Sequence, residues 1–290
     1  MDIIAASELM LNADGSIYHI HLKPSQLADT VLLVGDPGRV GMISKYMSNI
    51  EFTNQNREFI STTGTYKNKR ITVLSTGIGT DNIDIVMNEL DAVANIDFNT
   101  RSVKEKKRSL TLLRIGTSGA LQPDIPLGSY VFSHISIGCD GLLNWYADRD
   151  NVTERDMEEA LIQHMDWNKY LARPYFVKNS QGLIDMFKDI TIKGMTISAP
   201  GFFGPQGRVL RLPIVMPEMN KKFESFNFNG YRVTNYEMEG SAIAGFAKQM
   251  GHNAGTVCCI IANRYRKEAI TDYEPYIDKL IKLVLDTLVK

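Results

Sequence analysis

Leu113 to Leu121 reads LRIGTSGAL, with one arginine, two glycines and two hydroxyls between apolar ends. An apolar strand that stops at Arg114 and breaks into Gly116-Thr117-Ser118-Gly119 presents backbone N–H groups and hydroxyls around one cation. Such a break is a receptor for a small oxyanion, phosphate above all. The same residues also suit a tight turn after a core strand, with Arg114 in a structural ion pair. Two more junctions share this form. Val31 to Val34 runs into Gly35-Asp36-Pro37-Gly38-Arg39, where Asp36 can cap, Pro37 suits the first helical position and Arg39 falls in the first turn. That helix is expected to reach about Met47. Arg70 to Ser75 runs into Thr76-Gly77-Ile78-Gly79-Thr80-Asp81-Asn82. Thr80 or Asp81 would cap an amphipathic helix carrying Ile83, Val86, Met87, Leu90 and Val93.

Two later stretches hold different chemistry. After a strand at Gly194 to Ala199, the segment Pro200 to Arg208 reads PGFFGPQGR, too rich in glycine and proline for regular structure. Adjacent aromatics, the Gln206 amide and an arginine suit a planar heterocycle with imide edges, or simply an anchored loop. After a strand at Val233 to Tyr236 comes Glu237-Met238-Glu239-Gly240-Ser241, opening a helix that ends near Met250. Its two acids are either partners of the helix dipole or acceptors for a vicinal diol.

These groups need strand ends to position them. Ser16 to Asp29, containing His19 and His21, begins with alternation that suits a short extended piece, and its histidines read as structural. Asn56 to Tyr66 and Arg70 to Ser75 read as paired strands joined at Lys67-Asn68-Lys69. Ile96 to Ser109 is polar and reads as a solvated surface insertion, its KEKKR cluster more a loop than a basic binding patch. Strands are expected at Gly128 to Ile137 and Gly255 to Ala262. Helices are expected at Thr153 to Trp167, Gly182 to Lys188, Pro217 to Phe226 and Tyr273 to Val289. Strands alternating with helices argue for an α/β fold whose ligands gather at strand C-terminal ends. No linker or repeat divides residues 1–290, so one domain is expected, with 1–15 as an N-terminal extension.

The totals narrow the class. A net charge of −1 gives no field favouring nucleic acid or an anionic membrane. Three cysteines, Cys139, Cys258 and Cys259, form neither a disulfide framework nor a zinc pattern. With no secretory leader or membrane-spanning run, a cytoplasmic protein is expected.

Taken in order, GDPGRV, NREF, STGIG, LRIGTSGAL, FFGPQGR and NYEMEG resemble the nucleoside phosphorylase family, and its uridine phosphorylase-like branch in particular, from about Tyr18 to the C-terminus. The resemblance implies a single-domain, three-layer α/β/α fold around a central twisted mixed sheet. It implies phosphorolysis of a pyrimidine nucleoside, uridine and phosphate giving uracil and ribose 1-phosphate. The catalytic residues would be Arg114, Arg39 and Glu239. Phosphate would lie on Gly35, Arg39, Arg57, Arg114 and Thr117, with Arg57 reaching over from a neighbouring subunit. Ribose would meet Met238, Glu239 and a neighbour's His19, and the base would meet Phe202, Gln206, Arg208 and Arg264. No metal or organic cofactor is implied, since phosphate is a co-substrate. A monovalent cation near Glu58 is disfavoured by Asn82, which stands where some relatives have serine. The partners implied are a nucleoside, phosphate and further copies of the chain, at least a dimer and up to a hexamer. Ala262-Asn263-Arg264 replaces the Ser-Asp pair typical of bacterial purine phosphorylases. A purine nucleoside phosphorylase or nucleoside hydrolase on the same fold is the alternative enzyme, and a silent nucleoside-binding protein the alternative outside enzymes. The base loop also differs from a common bacterial form in its glycine–proline order and in having Phe203 for tyrosine.

Overall fold

A computed structural model describes residues 3–290; Met1 and Asp2 of the N-terminal extension lie outside it. The chain begins its sheet with β1 (Thr30–Val34), α1 (Gly38–Ser44), β2 (Ser48–Asn56), β3 (Phe59–Tyr66), β4 (Lys69–Ser75) and α2 (Thr80–Asn95). A small hairpin, β5 (Ile96–Asp97) and β6 (Ser102–Val103), precedes β7 (Thr111–Ala120) and β8 (Tyr130–Gly138). Then come α3 (Arg155–Met165), β9 (Tyr175–Lys178), α4 (Gln181–Phe187), β10 (Ile192–Ser198), α5 (Met219–Ser225), β11 (Asn227–Phe228) and β12 (Tyr231–Glu237). The chain closes with α6 (Gly240–Met250), β13 (Asn253–Asn263), β14 (Glu268–Ala269) and α7 (Glu274–Leu288).

Period-two alternation along buried strands builds the layers. In β1, Val31 and Leu33 pack with Ile83, Val86 and Leu90 of α2 and with Ile243 and Phe246 of α6. Leu32 and Val34 face the other way, toward Val40 of α1, Phe187 of α4 and Ile277, Leu280 and Val284 of α7. The fold is therefore α/β, with helices on both sides of a mixed sheet.

The sheet does more than twist. Its order is β11-β12-β10-β8-β13-β7-β1-β4-β3-β2, and β12 also pairs with β7. Strands β7, β13, β8, β10 and β12 thus close on one another as a ring. The closing pair is antiparallel, with Asn235 opposite Ala120 and Tyr236 opposite Gly119. Register shifts in β10 and β13 accompany the curvature. The closure sets the ends of β7 and β12 side by side.

Several sequence expectations change. The strand does not stop at Arg114 but continues to Ala120, because β13 runs parallel beside it and pairs Gly116 with Cys258 and Thr117 with Cys259. Of the short extended piece expected at the start of Ser16 to Asp29, an isolated antiparallel bridge between Ile17 and Leu11 is what forms. The segment's alternation records Ile17, Ile20 and Leu22 entering the core, while side chains take up its backbone: Asn12 donates to the Ile17 carbonyl, and Glu89 accepts from the His19 and Ile20 N–H groups. The strand expected from Asn56 begins at Phe59, and an additional strand, β2, precedes it. Arg57, at φ +54°, turns the chain between them. Strand β2 is mostly exposed, so it carries no apolar alternation to read. Helix α1 ends at Ser44, short of Met47. Residue Gly79, not Thr80 or Asp81, caps α2, at φ +97° where glycine is favoured. Residues 96–109 are anchored rather than merely solvated, since Arg101 donates to the carbonyls of Ile4 and Ala5, and Arg108 pairs with Asp29.

Among the described residues, no helix is long and apolar enough to cross a membrane. Leu280 is fully buried between α7 and the sheet. Leu280→Ala should lower unfolding free energy by about 3 kcal/mol in urea titration; a loss under about 1 kcal/mol would show that α7 does not close this side of the core.

Candidate active site

Five strand ends deliver side chains to one cleft of about 890 Å³. Its lining includes Gly35 and Arg39 after β1, Gly77 and Asn82 after β4, Arg114 and Thr117 on β7, Phe202, Gln206 and Arg208 after β10, and Glu237, Met238 and Glu239 after β12. Three charged groupings run through it.

The first is an arginine pair. Arg39 is only 6% exposed. Among the described residues its hydrogen bond is to the Ile115 carbonyl, at 3.3 Å, and no carboxylate pairs with it. Burial and the neighbouring Arg114 charge pull its pKa below the ordinary arginine value. The Asp36 charge only partly offsets this, and a buried cation without a carboxylate pair is expensive. Asp36 accepts from the Gly38 N–H at 2.9 Å, which shapes the turn that carries Arg39.

The second grouping is Arg114 with two carboxylates. Its guanidinium donates to Glu239 Oε2 and lies 3.3 Å from Glu237 Oε2. Burial opposes its charge, but the two carboxylates outweigh burial and hold its pKa above the ordinary value. Gly116 makes room for it: a Cβ there would lie 1.9 Å from Arg114 Nη1. The ion pair expected for Arg114 is present, although in a continuing strand and not after a tight turn, and Arg114 also lines the cleft. The two acids, which both line the cleft, differ in their backbone partners. Glu237 accepts the N–H groups of Glu239 and Gly240, at 2.9–3.0 Å, and serves the start of α6. Glu239 faces the cleft and accepts the Gly79 N–H at 2.8 Å. Burial pushes its pKa up against the pull of Arg114, and the Glu237 charge adds to the rise.

The third grouping lies in the loop after β10. A short turn, Gly204–Gln206, ends at Gly207, whose φ is +70°. Gln206 is buried, and its Oε1 accepts from Arg208 at 2.6 Å and Arg264 at 3.1 Å. Both lone-pair sites of that oxygen are thus engaged, and the amide N–H₂ is left to donate. Burial and the Arg264 charge pull the Arg208 pKa down to about 10. Its guanidinium covers the Phe202 ring at 3.5 Å from the centroid, while Phe202 itself is half exposed on the cleft wall.

Of the residues singled out in the sequence, Gly35, Arg39, Arg114, Thr117, Phe202, Gln206, Arg208, Met238 and Glu239 line this cleft, and Arg264 joins it through Gln206. His19 and Arg57 do not line it. They neighbour each other instead: the Asn56 amide donates to the His19 carbonyl at 2.7 Å, Arg57 lies over the Tyr18 ring, and His19 Nδ1 is 2.6 Å from Glu89. Tyr236, Ile261, Ile270 and Tyr273 complete the wall without having been singled out. Tyr236 was readable as the residue before the acidic pair. Ile270 and Tyr273 carry no local signal.

Arg39 yields a two-sided expectation. Arg39→Met should raise the urea midpoint of the ligand-free protein, because it removes an unpaired buried charge, while abolishing the rise in melting temperature that phosphate gives the parent. A retained phosphate shift would place the anion elsewhere.

Residues 29–287 match the family model of the phosphorylase superfamily. The chain is 30% identical to a uridine phosphorylase of Thermococcus kodakarensis over 88% of its length and 80% of the relative's. It is 35% identical to a uridine phosphorylase of Treponema pallidum over 86% of its length and 83% of the relative's. A Trypanosoma brucei nucleoside phosphorylase described as showing uridine phosphorylase activity superposes with a TM-score of 0.85 at 28% identity, covering 97% of this chain and 99% of that one. With its glycine junctions, paired arginines and acidic corner converging on one cleft, the chain belongs to the phosphorylase superfamily and, within it, to the uridine phosphorylase-like nucleoside phosphorylases.

Proposed function

We propose that the chain cleaves uridine with phosphate, giving uracil and ribose 1-phosphate. The observation that carries this reading is Arg39: a buried guanidinium without a carboxylate partner, opening onto the cleft that also holds Glu239 and Gln206. An enzyme using water as nucleophile has no need of such a cation.

Phosphate is held by Gly35, Arg39, Arg114 and Thr117. Ribose lies against Met238, its hydroxyls donating to Glu239. Breaking the N-glycosidic bond places positive charge on the sugar and negative charge on the base. The phosphate dianion stabilises the sugar cation and then bonds to C1′, so the arginines position a reactant as well as a charge. At the other end the Gln206 N–H₂ and two guanidiniums that lack carboxylate partners face the base. The amide oxygen is already engaged, so recognition runs through donors to the uracil carbonyls, and the same donors stabilise the departing anion. Arg57 and His19 would act in a neighbouring copy's cleft, which makes a homo-oligomer the working unit, with no cofactor beyond the co-substrate.

A purine substrate is disfavoured by Asn263. Its amide N–H₂ is spent on the Gln122 and Ile125 carbonyls, both at 3.0 Å. The carboxylates lining the cleft are Asp36, Glu58, Glu237 and Glu239, none of which belongs to the base loop or to the segment around Asn263. An acid to protonate purine N7 is therefore not at hand.

Base release from uridine and inosine, measured with and without phosphate, tests the reading. Uracil release that requires phosphate is expected; release without phosphate means hydrolysis, and faster turnover of inosine means a purine enzyme. Gln206→Ala should raise the nucleoside KM by about tenfold or more while leaving the phosphate KM nearly unchanged; the reverse pattern would remove Gln206 from the base site.

A further inference from the structure

Helix α6 begins beside the proposed ribose site, with Glu239 as its N-cap residue. A cap residue commonly turns its side chain onto the first free N–H groups of its helix. Glu239 does not; its carboxylate is committed to the Gly79 N–H and Arg114. Other residues take over the capping. Glu237 accepts the N–H groups of Glu239 and Gly240. Ser198, the last residue of β10, accepts the Ser241 N–H at 2.8 Å and donates its own proton to Glu237 Oε1.

Behind this first turn lies a second carboxylate that the reaction does not use. Asp140, just after β8, accepts the Ser241 hydroxyl at 2.9 Å, the Tyr175 hydroxyl at 2.9 and 3.1 Å, and the Leu142 N–H at 2.8 Å. Ser198, Ser241 and Tyr175 are fully buried. The donors to Asp140 come from three places in the chain: β9, α6 and the turn after β8 itself. A run of hydrogen bonds therefore leads from Asp140 to the Ser241 hydroxyl, from the Ser241 N–H to Ser198, and through Glu237 to the Glu239 N–H, and Glu237 also lies 3.3 Å from Arg114.

We propose that Asp140, acting with Ser198, is a positioning residue for phosphorolysis: it fixes the first turn of α6 so that Glu239 meets the ribose diol, without touching substrate itself. Apolar packing would anchor a helix end without the desolvation that a buried carboxylate suffers. A carboxylate with several converging donors adds orientation. It restrains rotation of the turn about its axis, and that rotation sets the direction of Glu239. Two hydroxyls on one carboxylate demand this alignment more than a single hydroxyl does.

The proposal rests on the reading of Glu239 as the ribose acceptor, and its test separates the two. The quantity measured is the ratio of kcat/KM for uridine to that for 2′-deoxyuridine, alongside the phosphate KM and melting temperature. Asp140→Asn keeps the size but weakens the acceptor. It should lower the ratio about tenfold and leave the phosphate KM within about threefold, because Gly35, Arg39 and Thr117 stand on other elements. Ser198→Ala should act in the same direction and carries the test where Asp140→Asn does not fold. An unchanged ratio, or equal losses for both nucleosides that track the melting temperature, would reduce Asp140 to a fold residue. Glu239→Ala is the control. If it leaves the ratio unchanged, the reading of Glu239 itself fails; if it collapses the ratio while Asp140→Asn and Ser198→Ala do not, only the positioning role fails.

Discussion

The contact of Arg114 with Glu239 and Glu237 is the constraint on which the site depends. Three charged groups are removed from water together, and each is tolerable only because the others are there. The two carboxylates keep Arg114 charged despite its burial, and Arg114 moderates the cost of burying Glu239. Arg114 lies on β7, and the acids lie at and just after the end of β12, far away in sequence, so their meeting requires the ring closure that sets Tyr236 opposite Gly119. It also requires a glycine at position 116, where any side chain would occupy the space of the guanidinium. Backbone topology, one absent side chain and one ion cluster are thus a single arrangement seen at three scales.

Much of this was legible in the chain because strand-to-helix junctions leave local traces. A glycine after an apolar run and an arginine in the first turn mark Gly35–Arg39 without knowledge of any partner strand, although the helix starts at Gly38 with Pro37 at the N-cap position and Asp36 accepts the Gly38 N–H. Glu237-Met238-Glu239 was readable as an acidic corner, though not the division of labour within it. That division depends on which carboxylate faces the backbone N–H groups of α6 and which faces Gly79, and Gly79 is 160 residues away in sequence. Strand β7 was cut short for a similar reason. Glycines at 116 and 119 suggest a break, but the long parallel partner β13 supplies hydrogen bonds throughout and keeps them in the ladder. Exposed β2 carries no apolar alternation and owes its order to backbone pairing with β3, while the region around His19 is ordered by side-chain contacts such as Glu89 to the His19 N–H; neither shows as periodicity. The ring closure has no local trace at all.

The distribution of charge along the cleft makes the strongest physical case for its chemistry. At one end Arg39 lacks a carboxylate partner and its pKa is drawn down. At the other, Arg208 and Arg264 share a neutral amide oxygen instead of a carboxylate, and both are likewise pulled down by burial. Glu237 and Glu239 line the same cleft beside Arg114, and Asp36 and Glu58 line it as well. As the glycosidic bond opens the sugar becomes cationic and the departing base anionic, so a cleft that holds both carboxylates and guanidiniums without carboxylate partners can meet both charges. A binding protein for a neutral nucleoside would gain little from unpaired guanidiniums at the base end, where the free ligand carries no charge to meet them. They can hydrogen-bond the uracil carbonyls of a bound nucleoside, but they gain most when charge develops there, which is the condition for stabilising a transition state more than a ground state. The arrangement therefore argues for turnover over storage, and for a reaction in which an anion enters from one side as another leaves from the opposite one.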